Sequence, residues 1–205
     1  MGLHQREQNT RQSRVLAQYF LPILLTGIAI ILAIAADTGR EWFSLDREAI
    51  ATGELWRLVS GHLVHLGLSH LLLNIAGLLL IWYLIGSAFN RNQWLLVLLI
   101  VIIAVDLGLW FLEPQLFWYV GLSGLLHGLL VAGIAGSLSA RRIDVLVLGI
   151  AVLGKLTYEQ LVGPLPGSEE STGGTVIVAA HLYGAIGGAI GAAWIMIRVR
   201  RQGSI

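Results

Sequence analysis

Charged residues in this chain are confined to short stretches, and long apolar runs lie between them. The first run goes from Val15 to Ala36 with no charge and one proline, Pro22. Others run from His62 to Ala88, Gln93 to Leu112 and Val120 to Ser139. A fifth, Asp144 to Leu161, is apolar in its first half and polar in its second. After a Gly/Pro/Ser/Glu-rich loop, Gly163 to Gly174, the last runs from Thr175 to Val199. A helix crossing about 30 Å of hydrocarbon needs about 20 residues, so the pattern predicts an all-α, polytopic membrane protein of six spans (about 15–36, 62–88, 93–112, 120–139, 144–161 and 175–199) in one domain over residues 1–205. A secretory signal peptide competes for the first run, because Arg6, Arg11 and Arg14 precede it and Ala33-Ile34-Ala35 resembles a cleavage site. The run's 22 residues exceed a typical signal core and more spans follow, which favours a span.

Composition agrees: 56% of the 205 residues are hydrophobic and 12% charged, against about 25% charged in soluble domains. The chain has no cysteine, which removes disulfides, thiolate nucleophiles and Cys-ligated metals, and its formal charge of +1 offers no field for nucleic acid. With the N-terminus inside, the cytoplasmic face collects Arg6, Arg11, Arg14, Arg91, Arg141, Arg142, Arg198, Arg200 and Arg201, nine of the thirteen Lys and Arg. Positive residues concentrate on that side, so both termini are expected in the cytoplasm. The first loop, Asp37 to about Gly61, mixes charges with Trp42, Phe43, Leu45, Leu55 and Trp56 and reads as an amphipathic structure at the interface.

Polar and ionisable groups within spans are costly to bury and point to function. They are His62, His65, His70 and Asn74 on span two, Asp106 on span three, Ser123 and His127 on span four, Lys155 and Glu159 on span five, and His181 on span six. In this topology His70, Ser123 and His181 lie within a few turns of the outer boundary, His181 roughly 8–10 Å below the start of its span. A serine hydroxyl becomes a nucleophile when a neutral imidazole removes its proton. Ser123 sits in Gly121-Leu122-Ser123-Gly124, where small neighbours allow a sharp turn. His70 and Asn74, four residues apart, present an imidazole and an amide on one helix face as donors for an oxyanion, and the amides opening the helix at Ser123 add to them. The set suits acyl transfer.

Other readings fit parts of this pattern. A lone membrane serine is usually bonded to a backbone carbonyl, and a histidine cluster can bind zinc or relay protons. Lys155 and Glu159, at i and i+4, neutralise each other most simply as a helix pair, and Asp106 is a polar contact between helices. The base is either His127, four residues after Ser123 on the same face, or His181 on another helix, and spacing does not choose between them. Gly184, Gly188 and Ala192 give span six a small-residue stripe that packs closely on span four, which carries Gly121, Gly124 and Gly128.

Trp56-Arg57 in the first loop, His70-x-x-x-Asn74, Gly121-x-Ser123-Gly124 and His181-x-x-Gly184-x-x-x-Gly188, in that order, resemble the rhomboid family of intramembrane serine proteases across nearly the whole chain. The resemblance implies a six-helix bundle open to water from outside. It further implies a Ser123–His181 dyad with no third acid, and an oxyanion site of His70, Asn74 and the Ser123 amide. It tips the base to His181 and leaves Gly121, Gly124, His127, Trp56 and Arg57 in support. Within the family the chain looks most like the rhombosortase branch, through the run Trp56-Arg57-Leu58 to Gly61-His62 and His65, through Gly121-Leu122-Ser123-Gly124-Leu125-Leu126-His127-Gly128, and through Lys155-Leu156 with Glu159-Gln160 and Gly163. That branch is associated with single-span substrates bearing a C-terminal Gly-Gly motif, an apolar span and a basic tail, in the inner membrane of Gram-negative bacteria. Many rhomboids carry an aromatic residue where this chain has His127. Lys155, Glu159 and Gln160 have no general family role and are expected to shape the substrate-facing side near span five. No metal or other cofactor, and no nucleic-acid partner, is implied; the partners are membrane-protein substrates and the bilayer. A rhomboid protease without tail specificity, a non-catalytic rhomboid-like binding factor and a transporter are the competing functions.

Overall fold

The computed structural model describes residues 3–138 and 142–202, of which 3–18 and 202 by backbone alone. Arg6, Arg11, Arg14 and Arg141, which help to orient the chain, lie outside the residues whose side chains are described. Helix α1 (Leu3–Ile34) ends at a 114° bend, beyond which α2 (Ala36–Phe43) begins. The bend is made by Ala36, at φ 48 a non-glycine residue in the left-handed region.

The first loop is folded rather than bare. Strand β1 (Leu45–Asp46) is followed by α3 (Arg47–Ala51) and α4 (Arg57–Ser60), and β1 pairs antiparallel with β2 (Trp118–Tyr119), Leu45 opposite Tyr119. Asp46 caps α3 by accepting from the Ala49 amide at 2.9 Å. Two arginines fix this layer through backbone carbonyls. Arg47 donates to the carbonyls of Leu109, Trp110, Glu113 and Leu116 at 2.9–3.2 Å and so caps the C-terminal end of the helix Arg91–Leu112. Arg57 is buried, pairs with Glu54 at 2.6 Å and donates to the Glu41 and Ser44 carbonyls at 2.9 Å.

The bundle proper comprises α5 (Leu68–Ile85), α6 (Arg91–Leu112), α7 (Ser123–Ser137), α8 (Ile143–Leu161), α9 (Ser168–Thr172) and α10 (Val178–Gln202). Asn90 and Gln93 form a capping box at the start of α6. The expected spans two, four and six begin earlier than the helices. His62 to Gly67 are non-helical, so helix starts at Leu68, and the last helix starts at Val178 after an irregular stretch. The Gly163–Gly174 loop contains α9, bounded by Gly167 and Gly173, both left-handed.

Helix α10 lies against α7 as the small-residue spacing predicts. A Cβ at Gly184 would overlap the Gly124 carbonyl, and one at Gly188 the Gly128 carbonyl, so the two backbones touch. Val97, Val101 and Val105 of α6 are fully buried behind them, while Leu79, Leu80, Phe111, Leu153 and Leu161 face outward. Small residues at the α7–α10 contact and large apolar residues facing outward fit a lipid solvent. Among the described residues, three helices are long and apolar enough to cross a membrane, Leu68–Ala88, Arg91–Leu112 and Val178–Arg201, with a fourth if the bent pair Tyr19–Ile34 and Ala36–Phe43 is one span. The six-span expectation exceeds that count because α7 has only 15 residues and α8 carries Asp144, Lys155 and Glu159.

Candidate active site

Ser123 is the first residue of α7, placed there by the turn before it. Gly121 has φ +125, a conformation that L side chains rarely adopt, and a Cβ on it would lie 2.8 Å from His70 Cε1. Both demands explain glycine at this position. The turn is tied down at its other side: the Gly121 amide donates to the Gly61 carbonyl at 3.1 Å, and the buried Tyr119 hydroxyl donates to the Gly121 carbonyl at 2.7 Å. Burial pushes the Tyr119 phenol above its ordinary range, so it keeps the proton it donates.

The α7–α10 seam brings His181, in the first turn of α10, to Ser123. Ser123 Oγ lies 3.0 Å from His181 Nε2. His127 is four residues along α7, and both of its nitrogens are engaged elsewhere. Nδ1 is 2.7 Å from the Ser123 carbonyl, and Nε2 is 3.0 Å from Lys155 Nζ. Its ring stacks on that of His181, centroids 4.1 Å apart and planes 20° apart.

The opposite edge of His181 meets a carboxylate. His181 Nδ1 is 2.9 Å from Glu159 Oε2, and Lys155 Nζ donates to Glu159 Oε1 at 2.6 Å. Glu159 is 3% exposed and buried against the imidazole, and with Lys155 it lines the cavity that holds Ser123. A third acid is therefore in place beside the serine and histidine. The exposed Gln160, the other member of that group, donates to the Val178 carbonyl at 3.2 Å and ties α8 to the start of α10. The carboxylate was hidden in the sequence because Lys155, one turn away, satisfied it on paper; the clue was that a buried acid has two oxygens to satisfy.

His70 and Asn74 are buried and line the same cavity as Ser123 and His181, which encloses about 220 Å³. The Leu66 amide donates to His70 Nδ1 at 3.4 Å, which leaves Nε2 as the protonated nitrogen. Asn74 Nδ2 is buried without a hydrogen-bond partner among the described residues, a donor free for a group in the cavity. Leu165, Ser168, Thr172, Thr175 and Val176, from α9 and the stretches flanking it, form another part of the wall. His127, Glu159 and His181 are close enough together to ligate a cation, and the Lys155 ammonium sits among them, bonded to His127 Nε2 and Glu159 Oε1.

Trp56 and Arg57 are away from this cavity. The Trp56 indole donates to the Trp42 carbonyl at 3.2 Å, so with Arg57 it supports the first loop only. Asp106, for which the sequence suggested a helix contact, bonds the fully buried His62 at 3.0 Å and pins that loop to α6. His65 packs edge-on against His70, centroids 5.0 Å apart.

Comparison with curated proteins returns no match. The family model for the Rhomboid domain matches residues 52–199, from the first loop to the last turns of α10 and so well over half of the chain. With that match and the helical bundle around Ser123 and His181, the chain belongs to the rhomboid family, a family of intramembrane serine proteases that act on membrane-protein substrates in the bilayer.

Proposed function

We propose that this chain is a six-span intramembrane serine endopeptidase that cleaves single-span proteins near the outer membrane boundary, with Ser123 as nucleophile and His181 as base. The observation that carries the reading is the 3.0 Å contact between Ser123 Oγ and His181 Nε2 on the wall of a cavity, while both nitrogens of His127 are committed to other partners. His181 takes the hydroxyl proton as Oγ attacks the carbonyl carbon, the C–N bond breaks, and the leaving amine receives that proton. Water then hydrolyses the acyl-enzyme with His181 again as base. The Ser123 amide at the start of α7, His70 Nε2–H and the free Asn74 amide are the donors for the tetrahedral oxygen.

The substrate reading is narrower and rests on the sequence runs around Trp56, Ser123 and Glu159. The native targets carry a C-terminal Gly-Gly motif, an apolar span and a basic tail, in the inner membrane of a Gram-negative bacterium, with both termini of the protease cytoplasmic. A Gly-Gly pair favours this chemistry because glycine lets a substrate helix unwind and present its carbonyl.

The test is cleavage, in membranes, of a tagged Gly-Gly-tailed substrate by the parent and by Ser123→Ala, His181→Ala and His127→Ala. Loss with the first two and partial activity with the third is expected. Cleavage by Ser123→Ala sinks the serine-protease reading. Equal cleavage after the Gly-Gly pair is replaced by Leu-Leu leaves a rhomboid protease without tail specificity, and binding without cleavage by the parent leaves a non-catalytic factor.

A further inference from the structure

Every hydrogen-bonding atom around the reacting pair has a consistent assignment. Lys155 has three protons and no acceptor, so it donates to Glu159 Oε1 and to His127 Nε2. His127 must then carry its proton on Nδ1, where it donates to the Ser123 carbonyl. Glu159 Oε2, an acceptor, faces His181 Nδ1 at 2.9 Å, which puts the His181 proton on Nδ1 and leaves Nε2 bare toward the Ser123 hydroxyl. The tautomer that accepts a proton from serine is thereby fixed from the far side of the ring.

From this network we infer that Glu159 is a positioning acid for His181, completing a Ser123–His181–Glu159 triad in place of a dyad, with Lys155 holding the carboxylate and His127 holding the face of the ring. The inference rests on the Ser123 and His181 assignment proposed above. Glu159 touches no reacting atom. It keeps its negative charge throughout: the serine proton goes to His181 Nε2, the imidazolium then has its Nδ1–H against the carboxylate, and the same proton leaves on the amine. A buried carboxylate there favours the imidazolium that forms in the transition state more than the neutral ring that precedes it, which is how an interaction accelerates a step. A simple i,i+4 ion pair would leave Oε2 free or wet. Here Glu159 is 3% exposed and directs that oxygen to the imidazole of another helix, 22 residues away.

Three neighbouring contacts show how little slack the arrangement has. His181 is held on its serine edge, on its carboxylate edge and on one face by the stacked His127 ring. Lys155 bridges the two residues that provide the last two of these constraints. The acid comes from α8, whereas the serine and histidine come from the touching α7 and α10, so the triad is complete only when α8 is seated.

The experiment measures kcat and KM of the full-length protein in proteoliposomes with a quenched-fluorescence single-span substrate. Parent, Ser123→Ala, Glu159→Gln and Glu159→Asp are compared, and the thermal unfolding of each is followed. Glu159→Gln is expected to lower kcat by at least about 100-fold, as removal of the triad acid does elsewhere, with KM within about twofold, and Glu159→Asp to recover part of the loss in kcat. A Glu159→Gln kcat within about threefold of the parent, or a change confined to KM, overturns the inference, the second outcome pointing to substrate contact. If Glu159→Gln does not fold, the 15N imidazole spectrum of the parent decides, assigned by the signal lost in His181→Gln. A proton on His181 Nδ1 is expected, and one on Nε2 overturns the inference. Ser123→Ala separates the two claims: its cleaving activity defeats the protease reading itself, whereas an inactive Ser123→Ala beside a fully active Glu159→Gln defeats only the role of the acid.

Discussion

Two ion pairs in this protein share the same 2.6 Å separation and near-identical spacing along a helix or turn, Arg57 with Glu54 and Lys155 with Glu159. They differ in where the remaining hydrogen-bonding capacity goes. Arg57 directs its free N–H groups to the Glu41 and Ser44 carbonyls, so it secures a folded loop. The Lys155–Glu159 pair directs one ammonium proton and one carboxylate oxygen to His127 and His181, so it addresses the two imidazoles beside Ser123. A charge pair inside or beside a membrane is thus defined less by its own contact than by its third partner. Trp56 and Arg57 bond carbonyls of the first loop, whereas Lys155 and Glu159 line the cavity that holds Ser123.

Several substitutions sharpen or break that contrast. Loss of cleavage by about 10³-fold or more is expected for Ser123→Ala and His181→Ala, read in the same membrane assay. Gly184→Ala comes next, because its methyl group collides with the Gly124 carbonyl and parts α10 from α7. It should cost about 1–3 kcal/mol of stability and carry His181 away from Ser123, so both the unfolding midpoint and kcat should fall. An active, stable Gly184→Ala protein contradicts the backbone-contact description.

Smaller effects separate the two ion pairs. Lys155→Met leaves the Glu159–His181 contact but frees the carboxylate, and a fall in kcat of roughly 3–10-fold is expected, about 0.7–1.4 kcal/mol. Combined with Glu159→Gln it should add little further loss, since the two act in one network, and a double-mutant cycle measures that coupling. Full additivity argues that the pair is not a unit. Arg57→Ala should do the reverse, lowering stability by about 2–4 kcal/mol through unmet carbonyls and an unpaired Glu54, with kcat of the folded fraction unchanged. A kcat effect there without a stability effect would place Arg57 in the chemistry after all.

Much of the bundle was legible in the sequence because it depends on local periodicity. The long apolar runs mark the helices, and the four-residue spacing of Gly184 and Gly188 against Gly124 and Gly128 fixes which helices touch and brings Ser123 to His181. Helical spacing leaves both His127 and His181 open and only the family resemblance tips the base to His181; the partners of the two His127 nitrogens, which also favour His181, are tertiary contacts that spacing does not reveal. Nor was the Glu159 contact legible, because it joins α8 to α10 through a tertiary approach that leaves no periodic trace. The same holds for Arg47, whose guanidinium reaches four carbonyls 62–69 residues away, and for Asp106, whose partner His62 is 44 residues distant. Helix α9 escaped because five residues between two glycines resemble a loop in composition.

The glycine seam has a consequence for how this surface can change over time. Where peptide meets peptide, no rotamer stands between Ser123 and His181, and their spacing is independent of what the other side of α10 carries. Ile186, Ile190, Trp194 and Ile197 on that helix are all exposed. It follows that lineages living in thicker, thinner or differently saturated bilayers can rewrite this outward row freely, and the protein can be adapted to a new lipid by drift at its perimeter while its centre stays unaltered.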